Sequence, residues 1–494
     1  MGTRCQAMKP SGQVLPEGKL GKLRRLNYAT ISEERVIALR GLGGITRIQG
    51  KQTQRGGVAD TAPRRTTSSQ DASVSTLVPL SSLRWSTFCA ALASTVKGAC
   101  QWGLLIALAK IGHPEMLGQY AFGLAICIPV FMITDLQLRL VQATDARDDY
   151  RFGHYLALRA LTTPLAVLVV TGYSWGLGYR GDATLIIAAI ALSRATESMS
   201  DCIHGALQKD ERLDLVSFSI IIRNLCSLVI FVCVLLLSGL LLPAVLSQVA
   251  IGLVIFFACD WPWASKIRGR GAIDLAPSFE WEKLWKLIVL ALPLGLVVMF
   301  ISLNANVPRY FLAHHFGNVP VGIFAALIQP TLAGGMAMAA IGHATMPRMA
   351  RSFATRNTSY LIRMVLRLSL LGAFLGAVML VITTMWGKQI LVWFYRPGYA
   401  EYQDTFFWLM VAGAISYVSS ALGYGLNATR AYHGYMIFYA SSAILGGILG
   451  IYLIPSFGLK GAAWTVCSTN LVSALFLGGL LFTLIQKVKA DDQT

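Results

Sequence analysis

The sequence predicts an all-α, polytopic membrane protein of about twelve transmembrane helices, arranged as two six-helix lobes related by a pseudo-two-fold axis along the membrane normal. Composition is the first sign: of 494 residues, 55% are hydrophobic and only 13% charged, whereas soluble domains carry about 25% charged residues. With a mean hydropathy of +0.58, the chain has too few polar side chains to coat a globule, so most of its surface must face hydrocarbon. The second sign is run length. Uncharged, mostly apolar stretches of about twenty residues, such as 225–246, match the thickness of a bilayer. A β-barrel would instead alternate polar and apolar residues over about ten positions. The third sign is internal similarity. Gly118-Gln119-Tyr120-Ala121 has a counterpart in Gly322-Ile323-Phe324-Ala325 about 204 residues on, each after a break (Gly112-His113-Pro114 and Gly317-Asn318-Val319-Pro320). Both copies follow an odd-numbered helix and lie six helices apart, so the repeats are expected to be parallel, with a substrate site between them.

Taken in order, the apolar runs place helices near 83–110, 116–141, 152–173, 182–205, 213–238, 240–263, 284–313, 319–346, 360–385, 403–427, 433–455 and 459–486. Residues 390–395 after Trp386 read as a short interfacial segment with aromatics at headgroup depth. The expected organisation is a tail over 1–80, an N-terminal lobe over 83–264, a linker over 265–283, a C-terminal lobe over 284–487 and a short tail over 488–494. The first tail is basic, rich in Gly, Ser, Thr and Gln, and without sustained periodicity, which predicts disorder. No apolar segment follows Arg24-Arg25 or Arg64-Arg65 in it, so neither a signal peptide nor a twin-arginine signal is expected. Its abrupt change of composition fits a start codon placed too far upstream, an expectation that a detected peptide from residues 1–60 would remove.

The formal charge of +18 would suggest nucleic acid in a soluble protein. Here the basic residues sit in the tail and in loops, where topology explains them better. One set of loops holds Lys209, Arg212, Lys266, Arg268, Arg270, Arg348, Arg351, Arg356, Arg363 and Arg430, while the alternate set offers little beyond Lys110, Arg180, Lys388, Arg396 and Lys460. Positive-inside bias therefore puts both termini in the cytoplasm of a multi-pass inner-membrane protein. The cysteines are scattered, mostly in apolar runs, without C-x-x-C spacing, and read as small core hydrophobes rather than a metal or redox site. No P-loop or H-E-x-x-H is present, and Asp148-Asp149 falls in a cytoplasmic loop, where a solvated pair is the better reading. No cofactor is expected, and no enzyme.

Ionisable residues inside apolar runs are informative because each costs about 2.5–3.5 kcal/mol at mid-membrane on insertion scales. Lys97 lies midway along the first run, Arg223 ten residues into the fifth beside Asn224, and Arg309 toward the end of the seventh. These three are the candidates for a cationic cavity, with Asn304 and Asn306 beside them. Together with Pro308, the two asparagines suggest a helix that is partly unwound or lines water. Fixed cations of this kind suit phosphate oxygens crossing a medium that cannot solvate them. The plainer alternative is that each cation pairs with an acid or snorkels to an interface. Arg139, four residues after Asp135, reads as snorkelling or paired. Arg194, Glu197, Asp201 and His204 share one helix face, where Glu197 and Asp201, with Asp135, are either coupling carboxylates for H+ or Na+ or a structural salt-bridge ladder. His343 reads as an interfacial residue, and the Gly372-Gly376 and Gly446-Gly450 spacings as close helix packing.

Leu117-Gly118-Gln119-Tyr120-Ala121-Phe122, Gly205-Ala206-Leu207-Gln208 leading to Arg223, and Asn306-Val307-Pro308-Arg309-Tyr310 leading to Gly322-Ile323-Phe324 resemble the polysaccharide (Wzx-type) flippases of the multidrug/oligosaccharidyl-lipid/polysaccharide exporter superfamily. The resemblance covers about residues 83–487. It implies two lobes in a V, a cavity lined mainly by the first, second, seventh and eighth helices, and alternating access coupled to an ion gradient. Lys97 and Arg309 then fall on cavity helices, and Arg223 on a more peripheral one. The implied function is translocation of an undecaprenyl-diphosphate-linked repeat unit for O-antigen, capsule or exopolysaccharide assembly. The implied partners are the lipid-linked oligosaccharide, membrane lipids, a coupling H+ or Na+, and a polysaccharide polymerase with other assembly proteins; nucleic acid is not among them. The rivals are a cation-coupled multidrug exporter on the same fold, which would favour acidic cavity walls, and a membrane glycosyltransferase or polymerase, which would need an outer-face acid pair. A channel or passive scramblase also fits the sequence.

Overall fold

The apolar runs form helices because, in hydrocarbon, a backbone can satisfy its N–H and C=O groups only against itself. The computed structural model describes residues 80–145, 148–265, 276–429 and 432–491, and no strand occurs among them. The expectations for the tail over 1–79, for Lys266, Arg268 and Arg270 of the linker, for Arg430 and for residues 492–494 lie outside the described residues.

The first half consists of α1 (Leu80–Ile111), α2 (Pro114–Thr134), the short α3 (Leu138–Thr144), α4 (Phe152–Gly176), α5 (Asp182–Lys209), α6 (Leu213–Ser238) and α7 (Leu241–Ile255). A π turn, Phe256–Asp260, joins α7 to α8 (Trp261–Ser265). The second half consists of α9 (Trp281–Phe316), α10 (Asn318–Ala354), α11 (Thr358–Phe394), a 3-10 turn (Pro397–Tyr402), α12 (Gln403–Ala428) and α13 (Tyr432–Asp491). Large apolar side chains such as Leu168, Leu237 and Leu475 point outward, as a lipid-facing surface requires.

Ten stretches among the described residues are long and apolar enough to cross a membrane, against the twelve expected. The difference has two physical sources. Helix α5 carries Arg194, Glu197 and Asp201 along one face and is too polar to qualify. Helix α13 is two helices run together across Gly458, whose backbone (φ 57, ψ −127) leaves the helical region. The interfacial segment expected after Trp386 is instead the continuation of α11 beyond a kink at that residue (φ −124, ψ 15). Helix α9, expected to be partly unwound or to line water over Asn304 to Arg309, runs through that stretch without unwinding, and Asn306 uses its amide to cap the Ser302 carbonyl at 2.8 Å.

Within each half the helices pack on their neighbours: α1 on α6, α5 on α4 and α7, then α9 on α13 and α12 on α10, α11 and α13. Contacts between the halves run through α2, which packs on both α9 and α10, and through α1 against α10. Lipid tails give no hydrophobic drive to helix association, so close approach of backbones matters more. The repeat-related glycines supply it. A Cβ added at Gly322 would lie 2.7 Å from the Gly118 amide nitrogen, and one at Gly118 would run into the Asn318 carbonyl.

Polar ties reinforce one end of this seam. Arg396 donates to the Lys110 and Gly112 carbonyls at 3.0 and 2.8 Å, Lys110 to the Trp393 carbonyl at 2.8 Å, and Trp102 to the Tyr395 hydroxyl at 3.1 Å. Tyr310 donates to the Ala125 carbonyl at 2.6 Å and Tyr179 to Asn318 Oδ1 at 3.3 Å. Near the linker, Ser278 N–H donates to the Gly153 carbonyl at 2.9 Å and His154 Nε2 lies 3.1 Å from Glu280.

Candidate binding cavity

Between the halves lies a cavity of about 720 Å³ whose walls come from α1, α2, α5, α6, α7, α9 and α10. Five charged side chains stand in this wall. Lys97 comes from α1, Arg194 and Glu197 from α5, Arg223 from α6 and Arg309 from α9. Four cations thus face one carboxylate. Neutral polar groups interleave them, among them Gln101, Asn224, Gln248, Asn306 and Gln329.

The one carboxylate is shared. Glu197 accepts from Lys97 through one oxygen and from Arg194, three residues back on the same helix, through the other. Arg223 is buried and donates to two backbone carbonyls, Gly252 at 2.9 Å and Thr196 at 3.3 Å. Those carbonyls fix the guanidinium but leave its charge unneutralised. Arg309 donates to Asn306 Oδ1, its Nε is buried without a partner, and its guanidinium carbon lies 6.0 Å from the Phe324 ring centre. Among the described residues no carboxylate pairs with Arg223 or Arg309. An excess of cations in a low-dielectric wall is tolerable only where water or an anion can reach it.

A second cavity of about 400 Å³ shares Lys97, Arg194 and Glu197 with the first and adds Asp135, Arg139, Arg159 and Asp201. The four charges it adds are matched, two arginines to two carboxylates. Arg159, wholly buried, pairs with Asp135 and, at 3.5 Å, with Asp201. Ser198 donates to Asp135 at 2.5 Å. Arg139 pairs with Asp201 at 3.1 Å and donates to Gln208 at 3.0 Å, so its acid is Asp201 and not Asp135.

The structure therefore brings Lys97, Arg223, Asn306, Arg309 and Glu197 to one cavity and places Asp135 and Asp201 in the adjoining one. Asn304 is not in either wall; its amide nitrogen donates to Ser442 at 3.2 Å, toward α13. Arg223, on a helix expected to be peripheral, stands in the main wall. His204 turns away to Asp260, 3.4 Å distant, which also accepts from Ser219 at 2.6 Å. Asp148 pairs with Lys209 at 2.7 Å. Arg159 and the cavity position of Arg194 were not singled out from sequence. The signal for Arg159 was available, since it too is an arginine inside an apolar run. Among the described residues no group of His, Cys, Asp and Glu has the arrangement to hold a metal.

Comparison with known proteins agrees with this architecture. A family model described as a polysaccharide biosynthesis protein matches residues 85–353. The capsular polysaccharide biosynthesis protein CapF of Staphylococcus aureus is 25% identical over 389 residues, which is 78% of this chain and 95% of CapF. Among solved structures, an inward-facing multidrug resistance MATE family transporter of the MOP superfamily has a TM-score of 0.64 at 13% identity, covering 80% of this chain and 96% of its own. The lipid II flippase MurJ, in its inward closed conformation, has a TM-score of 0.60 at 11% identity, covering 81% of this chain and 89% of its own. A MOP superfamily transporter from Pyrococcus furiosus has a TM-score of 0.58 at 13% identity, covering 83% and 96%. The fold is thus the one these multi-pass membrane transporters share.

Proposed function

The chain belongs to the polysaccharide biosynthesis protein family, and from that premise we propose that it flips a lipid-linked oligosaccharide, an undecaprenyl-diphosphate-borne repeat unit, across the inner membrane by alternating access. The observation that carries this reading is the cavity between the halves, where Lys97, Arg194, Arg223 and Arg309 face a single carboxylate. A diphosphate supplies the missing negative charge, and guanidinium groups grip its oxygens as planar forks. Sugars then occupy the remaining space among glutamine and asparagine amides, while the polyprenyl chain stays in lipid.

The positive-inside bias of the loops supports a chain with both termini in the cytoplasm, whose cavity would load from the leaflet where the repeat unit is assembled. A coupling ion, H+ or Na+, would act on Glu197, Asp201 or Asp135, the carboxylates nearest the cavity. Product on the outer side would pass to a polysaccharide polymerase for O-antigen, capsule or exopolysaccharide. A cationic drug, by contrast, would meet a wall of its own sign.

Removing one phosphate-binding cation forfeits a charged hydrogen bond worth about 1.5–3 kcal/mol, a loss of about ten- to a hundredfold in affinity. Lys97→Ala and Arg309→Ala should therefore abolish surface polysaccharide while the protein stays at its normal level in the membrane. Normal polysaccharide in both variants would overturn the assignment of the cavity. Flipping of a lipid-linked oligosaccharide in proteoliposomes, with and without an imposed gradient, tests coupling.

A further inference from the structure

The lone carboxylate of the cationic cavity has an arrangement that a merely structural ion pair does not need. Its two oxygens are engaged by two different cations from two different helices, Lys97 of α1 and Arg194 of α5. Both cations line the cavity, and so does the carboxylate itself. Two anionic oxygens held between an ammonium and a guanidinium are the contacts a phosphate group would make in the same place.

We propose that Glu197 is an internal surrogate for phosphate, a displaceable anion that occupies the cations of the empty cavity and competes with the incoming diphosphate. This rests on the reading of the cavity as a diphosphate site and assigns the residue that limits how tightly that site holds its cargo. The two halves of the Glu197 contact differ in how easily they part. Arg194 sits three residues away on the same helix, so that pair persists whatever the helices do. The Lys97 contact joins two helices through a flexible, single-charge side chain. Both side chains are about a third exposed, 35% for Lys97 and 33% for Glu197, and both line the cavity, so an incoming anion can reach the contact between them. An arriving diphosphate, which carries more charge than a carboxylate, therefore exchanges one anion for another on Lys97 with a net gain that Glu197 reduces but does not cancel.

The exchange runs both ways, and that is its use. A cavity with four unopposed cations would hold a diphosphate too firmly to release it on the far side, because differential affinity between states is what drives a transport cycle. A carboxylate within reach of Lys97 retakes the lysine as the phosphate leaves. Arg223 and Arg309, which have no carboxylate partner among the described residues, then supply net attraction while Glu197 supplies the means of letting go.

The test is binding of geranyl diphosphate to purified protein in detergent, with inorganic diphosphate as a second ligand to separate recognition of the headgroup from recognition of the lipid. Glu197→Gln should bind geranyl diphosphate about tenfold more tightly than the wild type and should turn over more slowly in a proteoliposome flipping assay. Tighter binding with slower turnover is a split that a loosened helix contact would not give. Glu197→Asp covers the case in which the glutamine variant fails to fold. It keeps the charge beside Arg194 but is one methylene too short to reach Lys97, and it should tighten binding by a smaller factor. Unchanged or weaker binding in the folded variants, with the wild type binding normally, overturns the surrogate role and leaves the diphosphate site standing. If the wild type binds neither ligand, both fall.

Discussion

Arg159 is the side chain on which the matched half of the charge network depends. It is wholly buried, pairs with Asp135 and Asp201, and donates to Ser198 at 3.1 Å. Removing one member of a buried pair leaves the other uncompensated and costs about 3–5 kcal/mol. Arg159→Ala should accordingly lower the unfolding temperature in detergent well below that of Arg139→Ala, whose guanidinium is partly exposed and whose partner Asp201 keeps Arg159. Equal effects would mean that Arg159 is not the member holding the two acids. The sequence marked Lys97, Arg223 and Arg309 because an ion inside an apolar run is expensive on its own account. It could not say which ions were matched, since Arg159 meets Asp135 and Asp201 only once α2, α4 and α5 have packed. The surplus of cations that defines the cavity is a property of that pairing and not of any one position.

At the scale of elements, the repeat seen in the chain has a structural use. Gly118 of α2 and Gly322 of α10, equivalent positions of the two halves, lie against each other where these helices cross. A side chain at either must collide with backbone, which cannot swing aside as a flexible side chain can. Gly322→Val should prise α2 from α10, increasing the distance between spin labels at the exposed positions Glu115 and Val319 relative to the unsubstituted pair. An unchanged distance would mean that the seam yields elsewhere. Helices of this kind were legible in the sequence because span length and apolarity are set by the bilayer. Two features were less so: α5, whose polar face becomes comprehensible only beside Lys97, Arg139 and Arg159, and the continuation of α11, where Trp386 departs from helical geometry ahead of Gly387 but the helix resumes instead of ending.

For the whole molecule, alternating access requires that the seam between the halves open at one end as it closes at the other. The end carrying Gly112, Tyr179, Asn318 and Arg396 is the closed one, tied across the halves by hydrogen bonds from Arg396, Lys110 and Tyr179. Arg396 makes two of these ties. Its guanidinium takes the Lys110 and Gly112 carbonyls at the end of α1, where carbonyls lack helical partners and the helix dipole favours a positive charge. A hydrogen bond to a charged group contributes about 1.5–3 kcal/mol, and every 1.4 kcal/mol shifts a two-state population about tenfold. Arg396→Ala should therefore raise the fraction of molecules open at this end by about an order of magnitude, read as faster labelling of a cysteine placed at Asn318 by a membrane-impermeant thiol reagent. The expected direction is specific, because the tie exists only in the closed state: the substitution should speed labelling at Asn318 and slow it at Gln137, which lines the cavity toward its other end. Faster labelling at both positions would instead mark general loosening, and unchanged labelling would mean that the other contacts of the seam hold the halves together without Arg396.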